Sequence, residues 1–260
     1  MKKRIQSYLP EGHLWQNQII WFDSIDSTNT QAKLLASQGA AHGTVVIAGH
    51  QTGGRGRMGR SFLSPAGMGV YMSVILRPNC RADELMHLTC ATAVAICDAV
   101  EVAVGFRPGI KWTNDLVYHG KKLAGILTEL SLNSKSGLVE YAIIGVGINC
   151  CQTEADFPPD LPFAGSLAMF AQTDPCRVAA TMITALSEMD LKQKEAILQR
   201  YRNDCITLGK DISLVRGDTV RHGHAVDIDS EGALLVRFAD GSTEAVSSGE
   251  VSIRGMYGYV

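Results

Sequence analysis

The apolar and polar positions along the chain alternate in a way that predicts many short strands and a few helices. Short apolar runs that end at Gly, Pro or polar residues predict strands at 19–22, 44–48, 70–76, 110–112, 115–118, 124–130 and 140–148. The pattern predicts a helix that follows N-cap candidates at 26–29 and ends at about residue 37. It predicts further helices at about 83–104, 166–171, 177–188 and 191–201.

The pattern changes after Gly209. Residues 211–254 alternate short β-runs with turns, and Asp240-Gly241 is typical of a hairpin turn. We therefore predict a division into 1–208 and 209–260, in which the second part is a small all-β unit.

Composition excludes several classes of protein. Hydrophobic residues make up 46% and charged residues 19% of the 260 positions, so wholesale disorder is excluded. The net charge of −2 argues against a generally basic nucleic-acid binder. No run of eighteen apolar residues occurs, and no apolar segment follows the basic N-terminus, so we expect neither a membrane span nor a secretory signal. The seven cysteines show no CxxC spacing and predict reduced thiols in a cytoplasmic protein rather than a metal site.

Charge is distributed unevenly. Residues 27–82 contain no Asp or Glu, although the whole chain holds 26, and they include Arg55, Arg57 and Arg60 among many glycines. Such a segment suggests an anionic ligand that the backbone approaches closely. A mobile surface loop with solvated arginines explains the same composition.

The glycines at 54, 56 and 59 match the GxGxxG pattern of dinucleotide-binding folds. That interpretation requires a helix directly afterwards, whereas here Pro65 and further glycines lead into a strand. A Walker P-loop and the protein-kinase motifs are also absent. The remaining hypothesis is a flexible arginine loop, residues 53–64, that closes over a charged ligand as a lid and shields a reactive acyl-phosphate from water.

Three further motifs each admit a functional and a purely structural interpretation. Lys-Trp-Thr-Asn-Asp at 111–115 either places a cation where negative charge develops or forms an ordinary turn. Gly-Val-Gly-Ile-Asn at 145–149 indicates either a ligand approaching a strand or a bulge. Ser-Thr-Asn at 27–29 is either a helix cap or a binding site for a polar group. His222 and His224 lie on one strand face, where solvent exposure is a better explanation than a metal site.

The order of these motifs resembles the biotin protein ligases. The matching segments are Asp-Ser-Thr-Asn at 26–29, the run from Gln51 to Arg60, Ser-Pro-Ala-Gly at 64–67, Lys-Trp-Thr-Asn-Asp-Leu at 111–116, Lys-Leu-Ala-Gly-Ile-Leu at 122–127 and Gly-Val-Gly-Ile-Asn at 145–149. The resemblance extends from about residue 20 to 149 and continues weakly into the C-terminal part.

This resemblance implies an α+β fold, with a mixed-sheet catalytic domain like that of class II synthetases and a small C-terminal SH3-like β-barrel. It implies an enzyme that joins biotin and ATP, with Mg²⁺, into biotinyl-adenylate. The biotin is then transferred to a lysine of a biotin carboxyl carrier protein. A homodimer is compatible with the family.

The resemblance also implies roles for individual residues. Lys111, Arg57 and Asp115 are the expected catalytic residues. The expected ligand-binding residues are Ser27, Thr28, Asn29, Gln51, Gly54, Arg55, Gly56, Arg57, Arg60, Lys111, Asn114 and Asn149. Among them, Ser27, Thr28 and Gln51 would bind biotin, the arginine loop would cover biotin and phosphate, and Asn149 would lie near the nucleotide.

The sequence departs from the family pattern at Thr113, where Pro is usual, and at Met58. It also lacks the tryptophan that some members stack on adenine. Only about 19 residues precede the first strand, so we expect a ligase that does not bind DNA or act as a repressor. The alternatives are a lipoate–protein ligase-like enzyme and a biotin-sensing protein without catalytic activity.

Overall fold

The computed structural model describes residues 1–247 and 252–255, and its largest element is a seven-stranded mixed sheet, the main sheet. Its strands are β1 (Ile19–Phe22), β2 (Thr44–Ala48), β3 (Gly69–Leu76), β4 (Gly109–Lys111), β5 (Asp115–Tyr118), β6 (Lys121–Leu132) and β7 (Val139–Asn149). They lie in the order β1-β2-β3-β7-β6-β5-β4. Only β1 and β2 pair in parallel; the other pairs are antiparallel.

Helices cover both faces of the main sheet, which explains why its central strands are apolar on both sides. The helices are α1 (Lys2–Gln6), α2 (Thr28–Ser37), α3 (Leu88–Val104), α4 (Pro175–Ser187) and α5 (Lys194–Asp204). On one face α2 packs Ala32 and Ala36 against Val46, Ile75 and Ile143. On the opposite face α3 and α4 pack against the sheet and against each other.

Helix α3 is shorter than predicted. A separate 3₁₀ turn occupies Asp83–Leu85, and α3 itself begins at Leu88. Within the described residues, Asp83–Val104 is the one segment long and apolar enough by composition to cross a membrane, and 67% of its apolar window is buried. Its packing against α4, α5 and β6 identifies this segment as a core helix. The helix predicted at 166–171 is only a three-residue 3₁₀ turn, Leu167–Met169.

The C-terminal part forms a second, antiparallel sheet, the C-terminal sheet. Its strands are β8 (Asp211–Arg216), β9 (Thr219–Ile228), β10 (Leu234–Arg237), β11 (Thr243–Val246) and β12 (Ser252–Gly255), in the order β11-β10-β9-β8-β12. Inward-facing residues of this sheet, such as Ile212 and Val236, belong to the same continuous hydrophobic cluster as the residues beneath the main sheet. The predicted fold class is confirmed. Residues 248–251 and 256–260 of the predicted C-terminal unit lie outside the described residues.

Candidate functional site

One cavity of about 800 Å³ opens between the main sheet, the N-terminus of α2 and the loops that follow β2 and β7. Its walls bring together Ser27, Thr28, Asn29, Gln51, Arg55, Gly56, Arg57, Arg60, Lys111, Asn114, Asp115 and Asn149. Of the predicted residues, Gly54 does not line the cavity. A Cβ at Gly54 would collide with the carbonyl oxygen of Phe62, so this glycine lets the two sides of the arginine loop approach each other.

The arginine loop folds back on itself over the cavity. Phe62 N–H donates to the carbonyl oxygen of Gly54 at 2.9 Å, and Gly56 N–H donates to that of Arg60 at 2.7 Å. At the tip Met58 has a φ of +56°, in the left-handed region. The loop therefore forms a narrow hairpin that directs its arginine side chains toward the cavity. Its mobility without ligand stays a prediction.

Among the cations that line the cavity, Arg57 and Lys111 are the less exposed ones considered for the reacting centre. Arg57 Nη1 donates to Asn114 Oδ1 at 3.0 Å, whereas Arg57 Nη2 is buried and has no hydrogen-bond partner in the described structure. Burial lowers the pKa of the Arg57 guanidinium, and the nearby Asp115 carboxylate opposes that shift. Lys111 is only 7% exposed at the end of β4. A buried lysine and a half-buried arginine, whose Nη2 is buried and unpaired, form a site suited to a carboxylate or phosphate.

The segment after Lys111 is held against the main sheet. Asn114 Nδ2 donates to the carbonyl oxygen of Ile126 at 2.8 Å, and Ile126 N–H donates back to that of Asn114 at 2.9 Å. Asp115 forms an ion pair with Lys122 at 2.7 Å. The sequence did not assign Lys122 a role in the site, although it lies in one of the matching motifs.

A chain of polar groups lines the end of the cavity nearest α2. Thr28 N–H and Thr28 Oγ1 both donate to Gln51 Oε1, at 2.8 and 3.1 Å, and Gln51 Nε2 donates to Ser64 Oγ at 2.9 Å. The amide orientation of Gln51 is fixed because a backbone N–H can only donate. Ser27 is the N-cap residue of α2, but its side chain makes no capping hydrogen bond, and it lines the cavity instead.

Asn29 is locked in orientation beneath this chain. Its Nδ2 donates to Glu129 Oε2 at 2.8 Å, and its Oδ1 accepts from Ser73 Oγ at 2.6 Å. Glu129 also forms an ion pair with Lys33. A Cβ at Gly145 would collide with the Asn29 amide. The sequence left open whether a ligand approaches this strand or the glycines form a bulge; at Gly145 the group that approaches is the Asn29 side chain.

Glycines leave the floor of the cavity flat. Gly125 and Gly147 are direct neighbours across β6 and β7, and the ring of Phe62 lies over both of them. A Cβ at Gly147 would lie 2.5 Å from the ring. Phe62 was not among the residues predicted from the sequence. It is the only aromatic residue of the arginine loop, and this was the signal available.

Asn149 lies at the end of β7 and fastens the loop that follows. Its Nδ2 donates to the carbonyl oxygen of Gly165 at 3.0 Å, and its Oδ1 accepts from Gln152 Nε2 at 3.2 Å. The loop after β7 also lines the cavity and contributes Phe157, Asp160 and residues 161–164. These residues were also missed, because nothing in their sequence spacing distinguishes them from an ordinary loop.

The described residues contain no group of three or more His, Cys, Asp or Glu side chains that could hold a metal ion. His224 Nδ1 pairs with Asp211 at 2.9 Å, and His222 Nδ1 lies 3.1 Å from the hydroxyl of Ser213. All seven cysteines are free, and burial raises the pKa of Cys90 to about 12. The thiol of Cys90 is therefore protonated and packs as a small apolar group.

Comparisons with known proteins agree with this geometry. Residues 21–149 match the family model described as the biotin/lipoate A/B protein ligase family, and residues 207–254 match the model described as the biotin protein ligase C terminal domain. The structure of biotin protein ligase from Aquifex aeolicus, in complex with biotin and ATP, is similar at a TM-score of 0.75 with 29% identity. The match covers 91% of this chain and 98% of that chain.

Curated relatives cover most of the chain. The bifunctional ligase/repressor BirA of Bacillus subtilis is 36% identical over 247 residues, which is 88% of this chain and 72% of the relative. The biotin–[acetyl-CoA-carboxylase] ligase of Mycobacterium tuberculosis is 32% identical over 234 residues, 86% of this chain and 85% of the relative. On these matches, the chain belongs to the biotin protein ligase family.

Proposed function

We propose that this protein activates biotin with ATP and transfers it to a lysine of a carrier protein. The observation that carries the proposal is the buried, unpaired Nη2 of Arg57 in the cavity that Lys111 also lines. A buried N–H donor without an acceptor destabilises the folded protein, and a bound ligand removes that cost when it supplies the acceptor. A carboxylate or phosphate supplies the acceptor oxygens that such donors require.

In the first step, an oxygen of the biotin carboxylate attacks the α-phosphorus of ATP and pyrophosphate leaves, so that a mixed anhydride, biotinyl-adenylate, forms. The polar chain of Thr28 and Gln51 offers fixed donors and acceptors for the uncharged ring end of biotin. The carboxylate end would then lie toward Lys111. Negative charge that develops on the phosphate is stabilised by Lys111 and Arg57, because preorganised charges in a buried site act strongly on a transition state.

In the second step, the ε-amine of the acceptor lysine attacks the acyl carbonyl carbon, the amine loses a proton, and AMP leaves. The arginine loop would protect the anhydride from water until the lysine arrives. The acceptor we propose is a biotin carboxyl carrier protein. Support for it comes from the relative of Mycobacterium tuberculosis, whose name gives acetyl-CoA carboxylase as the protein it modifies.

For the nucleotide we propose the part of the cavity near Asn149, where Phe157 and Phe62 offer flat apolar surfaces for a purine. These rings would replace the tryptophan that the sequence lacks. Mg²⁺ would bind together with ATP. When Mg²⁺ binds with a nucleotide, the phosphates supply most ligands and the protein supplies one or two carboxylates. Asp115 and Asp160 of the cavity wall fit that small contribution.

The test incubates the full chain with ATP, Mg²⁺ and either biotin or lipoate, and measures pyrophosphate release. We expect release with biotin only, because the C-terminal segment matches a model specific to biotin protein ligases. Release with lipoate instead would favour a lipoate–protein ligase. Tight binding of biotin without any pyrophosphate release would favour a biotin sensor. When a purified carrier domain is added to the reaction with biotin, the mass of that domain should increase by one biotinyl group.

A further inference from the structure

The residue after Lys111 is bonded to the C-terminal sheet. Trp112 is 4% exposed, and its indole Nε1 donates to the carbonyl oxygen of Gly232 at 3.1 Å. Gly232 belongs to the turn of residues 229–233, which joins β9 to β10. The turn between β9 and β10 therefore contacts a side chain one residue away from the cation that we place at the reacting centre.

Trp112 and Thr113 are also anchored from α5 and from the connection that follows it. Trp112 N–H donates to Thr207 Oγ1 at 2.9 Å, and the buried hydroxyl of Tyr201 donates to the carbonyl oxygen of Thr113 at 3.0 Å. Tyr201 lies on α5, and Thr207 lies in the connection between α5 and β8. Strand β4 is the edge strand of the main sheet. These contacts therefore hold the outer side of residues 111–113 in place, as pairing with a further strand would.

The 229–233 turn is held by hydrogen bonds within it and by contacts with α3 and α5. Asp229 Oδ1 accepts from the N–H groups of Glu231 and Ala233 at 2.8 and 2.9 Å, and Glu231 pairs with Lys194 of α5 at 2.7 Å. Gly232 has a φ of +84°, and a Cβ there would lie 2.9 Å from Cys90 Sγ of α3. The turn thus presents one carbonyl oxygen to Trp112 from a position that α3 and α5 define.

We propose that the 229–233 turn is a positioning element for Lys111, and that it acts through the Trp112 indole. In this proposal the C-terminal sheet sets the rate of adenylate formation by fixing where the Lys111 ammonium lies. The proposal rests on the proposed function, because the reaction affected is pyrophosphate release from ATP and biotin. Small displacements of a catalytic group cost rate rather than ground-state affinity, and about 1 Å can cost about 100-fold.

The test compares two glycines that share a backbone conformation but differ in surroundings. Gly232→Ala adds a methyl group against Cys90, whereas Gly241→Ala adds one at a φ of +83° with no atom within 4 Å. Both variants place a side chain at a positive φ of nearly the same value, +84° and +83°. For Gly232→Ala we expect kcat for pyrophosphate release to fall about 10–100-fold, with KM for biotin within about twofold of wild type. Gly241→Ala should match wild type within about twofold.

Two further variants keep the proposal falsifiable if Gly232→Ala folds poorly. Trp112→Phe keeps an aromatic ring but removes the indole N–H, and it should show the same loss of kcat without a change in KM. Cys90→Ala combined with Gly232→Ala frees the space that the new methyl group needs, and it should recover kcat to within about threefold of Cys90→Ala alone. Equal kcat in wild type, Gly232→Ala and Trp112→Phe would overturn the proposal.

Hydrogen exchange separates this proposal from the proposed function. Peptides covering 110–116 should lose protection in Gly232→Ala and Trp112→Phe but not in Gly241→Ala, whether or not the chain turns over biotin. Absence of pyrophosphate release in wild type would reject the proposed function alone. Unchanged exchange at 110–116 in both variants would reject the positioning role alone.

Discussion

Lys111 and Arg57, which both line the cavity, differ in how they are held, and this predicts different consequences when each is removed. Lys111 is fixed at the end of a strand, where charge develops as pyrophosphate leaves. Arg57 belongs to a loop and bonds to Asn114. We expect Lys111→Ala to lose adenylate formation by about 10²–10³-fold, because loss of one preorganised charge costs about 3–4 kcal/mol of barrier.

Arg57→Gly should still form some adenylate but release it faster. Its charge-assisted hydrogen bonds to the adenylate phosphate would each contribute about 1.5–3 kcal/mol to retention. The measurement is pyrophosphate release together with labelling of a bystander protein, and Arg81→Gly, at an exposed arginine on another surface, serves as the control. Normal adenylate formation in Lys111→Ala, or no extra bystander labelling per adenylate in Arg57→Gly, would contradict these roles.

Glu129 contributes to the site through Asn29. Its carboxylate can only accept, so it forces the amide nitrogen of Asn29 toward itself and the amide oxygen toward Ser73. In Glu129→Gln the side chain at 129 no longer fixes the Asn29 amide, which keeps only the long 3.4 Å bond from Nδ2 to the carbonyl oxygen of Leu127 to orient its nitrogen. We therefore expect KM for biotin to rise about 3–10-fold with kcat little changed, a loss of roughly 1 kcal/mol. Lys33→Met is the matched control, because it removes the ion pair and keeps the carboxylate. Equal KM values in all three proteins would refute the orienting role.

The cavity residues that could be predicted are those that lie in short sequence motifs of recognisable chemistry. Twelve of the thirteen predicted residues line one cavity because the motifs fall at strand ends and at the start of α2, which the main sheet gathers at one edge. Phe62, Ser73 and Glu129 were missed for a common reason. Their roles depend on which residues face each other across the sheet, and register is a long-range property that spacing along the chain does not reveal.

At the scale of the element, the start of α3 contains a buried titratable group. His87 is the N-cap residue of α3 and 1% exposed; its Nε2 lies 3.0 Å from the carbonyl oxygen of Leu191, and its Nδ1 is buried without a partner. Burial lowers the pKa of His87, an effect that the hydrogen bond to Leu191 opposes. Protonation would place a second N–H where no acceptor is available.

This environment predicts acid sensitivity. A lowered pKa means that the unfolded chain binds the proton more readily, so the contribution of neutral His87 is present above about pH 6.5 and is lost as pH falls below it. Wild type should lose stability from pH 7 to 5 more steeply than His87→Gln, by at most about 1.4 kcal/mol per pH unit. Chemical denaturation at several pH values measures the difference. Parallel pH profiles would show that His87 does not account for the sensitivity.

Element boundaries were harder to predict than element types. Strands β6 and β7 are longer than the apolar runs that predicted them, because the partly exposed outer half of β6 carries polar residues. The 83–104 helix was predicted to be continuous, whereas the structure inserts a turn before His87. Periodicity detects the buried face of an element, and it says little about ends that hydrogen bonds and caps determine.

At the scale of the whole molecule, the two sheets share one hydrophobic cluster. Ile228 and Leu234 of the C-terminal sheet belong to the same cluster as Cys90 and Leu198 of α3 and α5. The division of the chain into two domains, 1–208 and 209–260, therefore stays a prediction. The residues at this contact do not support independent folding of the first part.

A chain truncated after Gly209 should be weakly active and less stable than the full chain. Truncation exposes apolar surface on α3 and α5, at roughly 25 cal/mol per Å², and removes the acceptor for Trp112. Thermal unfolding and pyrophosphate release of both chains are the measurements. The full chain should unfold in a single transition. Two separate transitions, or full activity after truncation, would show that the sheets are uncoupled.

The flat glycine floor has a consequence for substrate range. A methyl group added at Gly125 would lie 3.4 Å from the ring of Phe62, and one added at Gly147 would lie 2.5 Å from it. Gly125→Ala should therefore be accommodated by a small shift of the ring, whereas Gly147→Ala should displace it. We expect Gly125→Ala to retain activity with biotin and to discriminate more strongly against bulkier biotin analogues. A comparison of kcat/KM for biotin and such an analogue measures this, and an unchanged ratio would mean that the floor does not limit ligand size.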